Sequence, residues 1–189
     1  VSLAYAMPSK FGSIMRANIV KDPESARRNM NMYVIGVDAN NNLASCNSVT
    51  KNNLKTWIGR SKMINDTIDV MDARILNLGI DFEIITENQN VSVDILQSCL
   101  SSLQQRFGNI PADIGEDFFL SDVYDILKTV PGVVDVTKVQ VNTKSGSNYS
   151  STFFDVDNNI SPDGRYIVIP KNVIYEIKYP NVDIRGAVR

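Results

Sequence analysis

The chain of 189 residues includes no histidine, the side chain best suited to proton transfer near neutral pH, so its clustered carboxylates are the first candidates for acid–base chemistry. Without imidazole, neither a Ser-His-Asp nor a Cys-His arrangement can form within the chain, and zinc sites that use histidine are excluded. Four carboxylates cluster at Glu116, Asp117, Asp122 and Asp125. A glycosidase needs two such groups facing each other across a cleft, but these surround a predicted helix start, where negative charge is favourable. We therefore interpret the cluster as a solvated helix cap and predict no catalytic residue.

Two short spacings resemble the beginning of a calcium loop, at residues 38–42 (DANNN) and 155–159 (DVDNN). An EF-hand loop also needs glycine at position six and a bidentate glutamate at position twelve. Position six is Leu43 in the first segment and Ile160 in the second, and position twelve is not glutamate in either. We interpret both segments as turns and predict no metal site.

The two cysteines, Cys46 and Cys99, form neither a metal motif nor a redox motif, and we expect both to be reduced. The sequence has no glycine-rich phosphate loop, because Ser145-Gly146-Ser147 has the composition of a flexible connector. We therefore predict no cofactor, and a structural or binding role is favoured over an enzymatic one.

Charge is unevenly distributed along the chain, although the net charge is −2. Residues 1–62 contain 9 Lys/Arg and 3 Asp/Glu, whereas residues 63–142 contain 4 and 13. This pattern fits either an ordinary solvated surface or complementary faces that meet within the chain or between subunits. The slightly acidic balance gives no overall attraction to nucleic acid. No run approaches the ~18 apolar residues that a membrane-spanning helix needs.

Four residues are candidates for contacts with another subunit: Phe153, Phe154, Arg27 and Arg28. Two adjacent phenylalanines in a polar segment can anchor that segment to the core, or they can insert into a neighbouring subunit. Arg27-Arg28 is the densest basic run in the chain, and it is too short to indicate an extended nucleic-acid groove.

The first part of the chain is predicted to be β-rich and to end in a helix. Strands are predicted over residues 12–20 and 32–37. A helix then begins at Ser48 or Thr50, either of which can serve as its N-cap. An apolar stripe that includes Trp57 gives this helix one buried face.

The middle of the chain is predicted to alternate between strands and amphipathic helices. Residues 67–86 form one extended stretch in which alternate residues become apolar towards its end. Two helices follow, with Ser92 and Ser121 as their N-caps. A β-branched strand is then predicted over residues 133–141.

Together these elements predict an α+β fold. Its centre is a small mixed sheet with two amphipathic helices packed on one face, a split βαβ or ferredoxin-like unit, flanked by β-rich segments. The predicted division is an N-terminal β-rich segment plus helix (1–66), an α+β core domain (67–142), and a loop with a C-terminal β-hairpin (143–189).

Four short motifs follow one another in the chain: Asn65-Asp66-Thr67-Ile68, Ile114-Gly115-Glu116, Ser121-Asp122-Val123 and Pro131-Gly132-Val133. With an amphipathic helix between the first and the second, this order resembles the baseplate J-like proteins of contractile phage tails. Within that family it is most similar to the wedge-ring subunits of T4-like phages. The resemblance covers about residues 49–142. Because the chain begins at Val1 and not at methionine, we expect it to be a segment of a longer protein.

The resemblance implies a structural protein of the virion tail baseplate, assembled in the host cytoplasm. Its copies would pair as homodimers, close into a ring around the tail hub, contact other baseplate wedge proteins, and help couple baseplate rearrangement to sheath contraction. No enzymatic activity, cofactor, nucleic-acid partner or membrane partner is implied. An alternative from the residues alone is a small nucleic-acid-binding or ligand-binding α+β module.

Overall fold

The computed structural model describes residues 1–22, 29–38, 42–61, 67–108 and 112–189. Contacts divide the chain into two compact units. Unit 1 comprises Val1–Arg74, Asp113–Gly115 and Pro170–Ile174, and unit 2 comprises Ile75–Ala112, Glu116–Ile169 and Tyr175–Arg189. The boundaries predicted after residues 66 and 142 stay predictions.

Helices and strands alternate irregularly along the chain. In chain order the helices are α1 (Ser2–Tyr5), α2 (Ser48–Gly59), α3 (Ser92–Gly108), α4 (Leu120–Thr129) and α5 (Pro180–Asp183). The strands are β1 (Arg16–Lys21), β2 (Asn29–Val37), β3 (Leu43–Ala44), β4 (Thr67–Asp72), β5 (Arg74–Thr86), β6 (Phe118–Phe119), β7 (Val133–Thr143), β8 (Tyr166–Ile167), β9 (Val173–Glu176) and β10 (Ile184–Val188).

The sheet of unit 1 is built around β2, which pairs antiparallel with β1 and parallel with β4. The short β3 pairs with the end of β2. Helix α2 packs against β4, and its buried Leu54 and Ile58 join Val34 of β2 in the core. Trp57 is partly buried against this core, and its Nε1–H donates to the carbonyl of Leu3 at 3.0 Å. The apolar stripe predicted for this helix is therefore confirmed.

The N-caps predicted for α2 (Ser48 or Thr50) and for α4 (Ser121) are wrong. Helix α2 begins at Ser48, and its cap is Asn47, whose Oδ1 accepts the Thr50 N–H at 2.7 Å. Helix α4 begins one residue before Ser121 and has no side-chain cap. Instead, the carbonyl of Arg165 accepts the first two helical N–H groups at 2.8 and 3.4 Å. A carbonyl from a distant part of the chain leaves no local signal in the sequence.

Two short segments from later in the chain complete unit 1 beside β1. The amide of Asn18 donates to the carbonyls of Ile114 at 3.0 Å and Lys171 at 3.1 Å. The N–H of Gly115 donates to the carbonyl of Val173 at 2.7 Å. Gly115 has φ of +75°, and a Cβ there would lie 2.8 Å from the Cα of Lys171. Both the backbone conformation and the close approach therefore require glycine at this position.

The sheet of unit 2 is built around β5, which pairs parallel with β10 and antiparallel with β7, and also pairs with β9. Alternate β5 residues from Leu76 to Ile84 are buried. Helices α3 and α4 contact each other and pack against β10 and β7 respectively. They bury Cys99 and Leu103 of α3 and Leu127 of α4. The predicted α+β class, with a small mixed sheet and two amphipathic helices, is confirmed.

Strand pairing departs from the prediction at three places. The stretch predicted over residues 67–86 is two strands, because β4 pairs with β2 whereas β5 pairs with β7 and β10 in a different sheet. Between them lies Ala73, whose N–H donates to the carbonyl of Val34 at 3.0 Å. Strand β8 pairs with β6, and β9 pairs with β5, instead of pairing with each other as a hairpin. Strand β10 was not predicted, since five residues near the end of the chain carry little periodicity.

The packing of β10 on β5 generates a prediction about Gly186, which is in register with Phe82. A Cβ at residue 186 would lie 2.4 Å from the Phe82 ring and 2.6 Å from Leu96. We expect Gly186→Val to lower the free energy of unfolding in urea by about 1–3 kcal/mol, because it overpacks this contact. The control Gly59→Ala adds a Cβ with nothing within 4 Å and should be neutral or stabilise by up to about 1 kcal/mol. Equal losses in both variants would contradict the packing argument.

Candidate interaction surfaces

One face of the unit 2 sheet presents charged and small side chains, and the opposite face presents the buried core side chains. We call this patch the outer face, and its residues are Asp81 and Glu83 on β5, Lys138 and Gln140 on β7, and Arg185 and Ala187 on β10. Paired residues on neighbouring strands point to the same side of a sheet, and the intervening Ile80 and Phe82 are buried among the core residues. Carboxylates therefore lie on the middle strand, and cations lie on both of its neighbours. Sheets that bind single-stranded RNA present stacking aromatics, and none of the six residues of the outer face is aromatic.

The segment after β7 covers the beginning of β5 on the same side. Asn77 of β5 is 1% exposed. Its Oδ1 accepts the N–H of Ser150 at 2.7 Å, and its Nδ2 donates to the carboxylate of Glu176 at 2.8 Å. The carbonyl of Asn77 also accepts the N–H of Lys144 at 2.8 Å. The segment that follows β7 is therefore held to the sheet at its start.

Tyr149 ties the same segment to α5. Its hydroxyl donates to Oδ1 of the buried Asp183 at 2.6 Å, while Oδ2 of Asp183 accepts the N–H of Tyr179 at 2.9 Å. The hydrogen bond to this carboxylate raises the pKa of Tyr149 to about 12, because ionisation would remove the shared proton and place two negative charges together. The rings of Tyr149 and Tyr179 also meet edge to face, with centroids 5.6 Å apart.

The structure separates the two phenylalanines proposed for an interface. Phe154 is 9% exposed, and its carbonyl accepts the hydroxyl of Thr143 at 3.2 Å. Phe153 is 91% exposed. Phe154 thus anchors the segment to unit 2, and Phe153 projects into solvent beside it. A contact of either residue with another subunit stays a prediction. Arg27 and Arg28 lie outside the described residues.

The clustered carboxylates serve local structure where their contacts are defined. Asp117 Oδ1 accepts the N–H of Ile169 at 3.0 Å, and Asp122 lies in the first turn of α4. Burial raises the pKa of Tyr175, and the nearby negative charge of Glu116 raises it further. Within the described ranges, no group of three or more His, Cys, Asp or Glu side chains could hold a metal ion.

The two calcium-like spacings differ in how much of them the structure covers. In residues 155–159, the carboxylate of Asp155 accepts the backbone N–H and the side-chain amide of Asn158 at 3.3 and 2.6 Å. This confirms the turn predicted there. In residues 38–42, Oδ1 of Asp38 accepts the N–H of Asn42 at 2.9 Å, while residues 39–41 lie outside the described residues.

In unit 1, two lysines of α2 reach aspartates of β4. Lys51 Nζ lies 2.7 Å from the carboxylate of Asp72, and Lys55 Nζ lies 3.0 Å from that of Asp69 on a more exposed part of the surface. Burial raises the pKa of the Cys46 thiol, and the charge of Asp72 raises it further. Both this thiol and that of Cys99 are free and buried, so neither has the low pKa that nucleophilic chemistry requires.

The fold of this chain also occurs in a chain of known structure. No family model matches the sequence, and no curated protein matches it. A similar fold occurs in a chain of the "Cryo-EM structure of the anti-feeding prophage (AFP) baseplate, 6-fold symmetrised", with a TM-score of 0.53 and 9% sequence identity. The two chains share a fold. The match covers 93% of this chain and 35% of the baseplate chain.

Three of the four motifs that resemble baseplate J-like proteins contain a residue with a structural role within the described ranges. Gly132 has φ of +90°, and a Cβ there would lie 2.6 Å from Ile95 of α3, so the turn from α4 into β7 needs glycine. Val123 is buried in α4. Asn65 and Asp66 of the first motif lie outside the described residues. Among the described residues, none of the helices combines the length and the apolar character that spanning a membrane requires.

The buried Asn77 generates a stability prediction. Asn77→Leu removes the acceptor of the Ser150 N–H and the donor to Glu176, and losing partners of buried polar groups costs about 1–3 kcal/mol each. We expect a loss of about 2–4 kcal/mol in the free energy of unfolding measured in urea. Asn158→Ala, which removes the exposed hydrogen bond to Asp155, should cost less than about 1 kcal/mol. An equal cost at both sites would show that the segment is not held through Asn77.

The hydrogen bond between Tyr149 and Asp183 generates a pH prediction. The pKa of Tyr149 rises in the folded chain from its ordinary value of 10 to about 12, so the bond stabilises the fold fully below pH ~10 and is lost as pH rises through ~12. Tyr149→Phe should remove one late-ionising tyrosine from an ultraviolet absorbance titration. The stability difference between wild type and Tyr149→Phe should shrink over the same pH window. A difference that stays constant across it would contradict this assignment.

Proposed function

We propose that the chain is a structural subunit of a contractile-tail baseplate that acts by binding copies of itself and other baseplate proteins. The observation that carries this proposal is the fold shared with a baseplate chain over 93% of the chain described here. The four motifs that resemble baseplate J-like proteins support it independently. The virion tail baseplate is then the site of action, after assembly in the host cytoplasm.

The chemistry of the described residues supports a role without catalysis. Asp117 is engaged by a backbone N–H and Asp122 sits at a helix N-terminus. Both thiols are buried, and burial raises their pKa. What the chain offers to other molecules is surface: the charged outer face and the exposed Phe153.

The finer proposal concerns the wedge ring. Here the chain pairs as a homodimer, and homodimers join into a ring that connects neighbouring wedges around the hub and transmits baseplate rearrangement to the sheath. A single two-fold contact closes as a dimer, so a ring needs two different self-contacts on each subunit. The segregation of basic residues in 1–62 and acidic residues in 63–142 supplies opposite charges for such contacts.

Self-association tests this proposal directly. We expect the purified chain to form a homodimer at micromolar concentration, because homotypic contacts are the basis of the proposed assembly. Light scattering coupled to size-exclusion chromatography would report the mass over a dilution series. A strict monomer up to the highest concentration reached would count against the homotypic part of the proposal.

A further inference from the structure

The outer face of the unit 2 sheet has an ordered charge pattern. In the register of the sheet, Glu83 of β5 lies between Lys138 of β7 and Ala187 of β10. One pair further along, Asp81 lies between Gln140 and Arg185. The central strand is therefore acidic, and each neighbouring strand contributes one cation.

Two of the four charged side chains on the outer face, Asp81 and Arg185, are hydrogen-bonded within the chain, and the other two have no side-chain partner among the described residues. Asp81 accepts the amide of Asn142 at 2.5 Å, and Nε of Arg185 donates to the carbonyl of Val182 at 3.1 Å. By contrast, neither the carboxylate of Glu83 nor the ammonium of Lys138 has an ion pair or side-chain hydrogen bond to any described residue. These two side chains are therefore available to a partner molecule.

The patch is also open in shape. A shallow depression of ≈ 200 Å³ lies over β5, with the small residues Gly186 and Ala187 on one side. The segment after β7 does not line this depression, although its Phe153 lies beside Gln140 at the edge of the outer face. A long side chain from a facing molecule can enter this depression and reach Glu83. Two sheets that pack face to face lie about 10 Å apart, which is a distance that an extended lysine can bridge.

We propose that the outer face is a two-fold contact with a second copy of this chain. A two-fold axis that runs along the strands between β5 and β7 places the β7 of each copy over the β5 of the other. Because Lys138 and Glu83 are paired in register within one copy, this operation places the Lys138 ammonium of each copy over the Glu83 carboxylate of the other. The contact is self-complementary in charge and pairs both of the unpartnered groups twice.

This inference rests on the proposed function, since it names the surface of one of its homotypic contacts. A shift by one strand is what makes the face complementary to itself: with direct superposition of β5 on β5, carboxylates would face carboxylates. Since the paired charges lie at a partly solvated face, the association should weaken as salt concentration rises.

The experiment uses reciprocal charge reversal in the full chain, with self-association followed by sedimentation velocity over a concentration series at low salt. Glu83→Lys alone and Lys138→Glu alone each place like charges opposite one another twice, and each should weaken association at least about tenfold. The double variant should return to within about threefold of wild type. An equimolar mixture of the two single variants should also recover, because each reversed residue then faces its opposite charge in the partner.

The matched control is Arg165→Glu, which reverses an exposed charge outside the outer face and outside the two charge-segregated segments and should leave association unchanged. Thermal melting of every variant shows whether the fold is retained, and recovery on mixing separates a lost contact from lost folding. The inference is overturned if wild type associates and the single variants associate equally well, in which case the proposed function stands. It is also overturned if neither the mixture nor the double variant recovers. A monomeric wild type contradicts the homotypic proposal itself.

Discussion

Strand β5 is the element on which unit 2 depends, because each of the strands β7, β9 and β10 pairs with it. Helices α3 and α4 pack against its neighbours β10 and β7, and no other strand of this sheet is buried along so many residues. The strict alternation of a strand then determines what lies on the opposite side. Asn77, Gly79, Asp81 and Glu83 necessarily point away from the helices, and what covers them decides whether the sheet has one buried face or two.

The side of β5 that faces away from the helices is covered at the beginning of the strand and open at its end. At the beginning, Asn77 is satisfied by Ser150 and Glu176, and the Lys144 side chain lies where a Cβ of Gly79 would be. At the end, carboxylates replace amide and glycine, and the covering segment is absent. A buried amide with fixed partners and an open carboxylate need different surroundings, so the change in residue type along β5 marks the boundary between covered and open sheet.

Much of the fold could be predicted from local patterns, because amphipathic helices and alternating strands leave a periodic signal. The helices α2, α3 and α4, the buried face of β5 and the strand β7 are of this kind. The features that the sequence did not predict depend on contacts between residues far apart in the chain. The pairing of β5 with β10 joins residues about a hundred positions apart, and the N-terminus of α4 is satisfied by the carbonyl of Arg165. The outer face was missed for the same reason, since Glu83 and Lys138 become neighbours only when the register of β5 and β7 is known.

The register of β5 and β7 identifies which charged residues are neighbours on the outer face, which the uneven distribution of charge along the sequence does not. The complementary pair in the proposed contact, Glu83 and Lys138, comes from one segment, 63–142, although that segment is strongly acidic overall. The few cations of this segment differ in their surroundings. Lys138 lies next to Glu83 in the register of β5 and β7, whereas Lys128 forms an ion pair with Asp135 at 3.7 Å. A face that matches itself about a two-fold axis closes as a pair and leaves other surfaces free. If the chain forms the proposed ring, the second self-contact would use residues outside the outer face, and the exposed Phe153, adjacent to the anchored Phe154, is a residue of that kind.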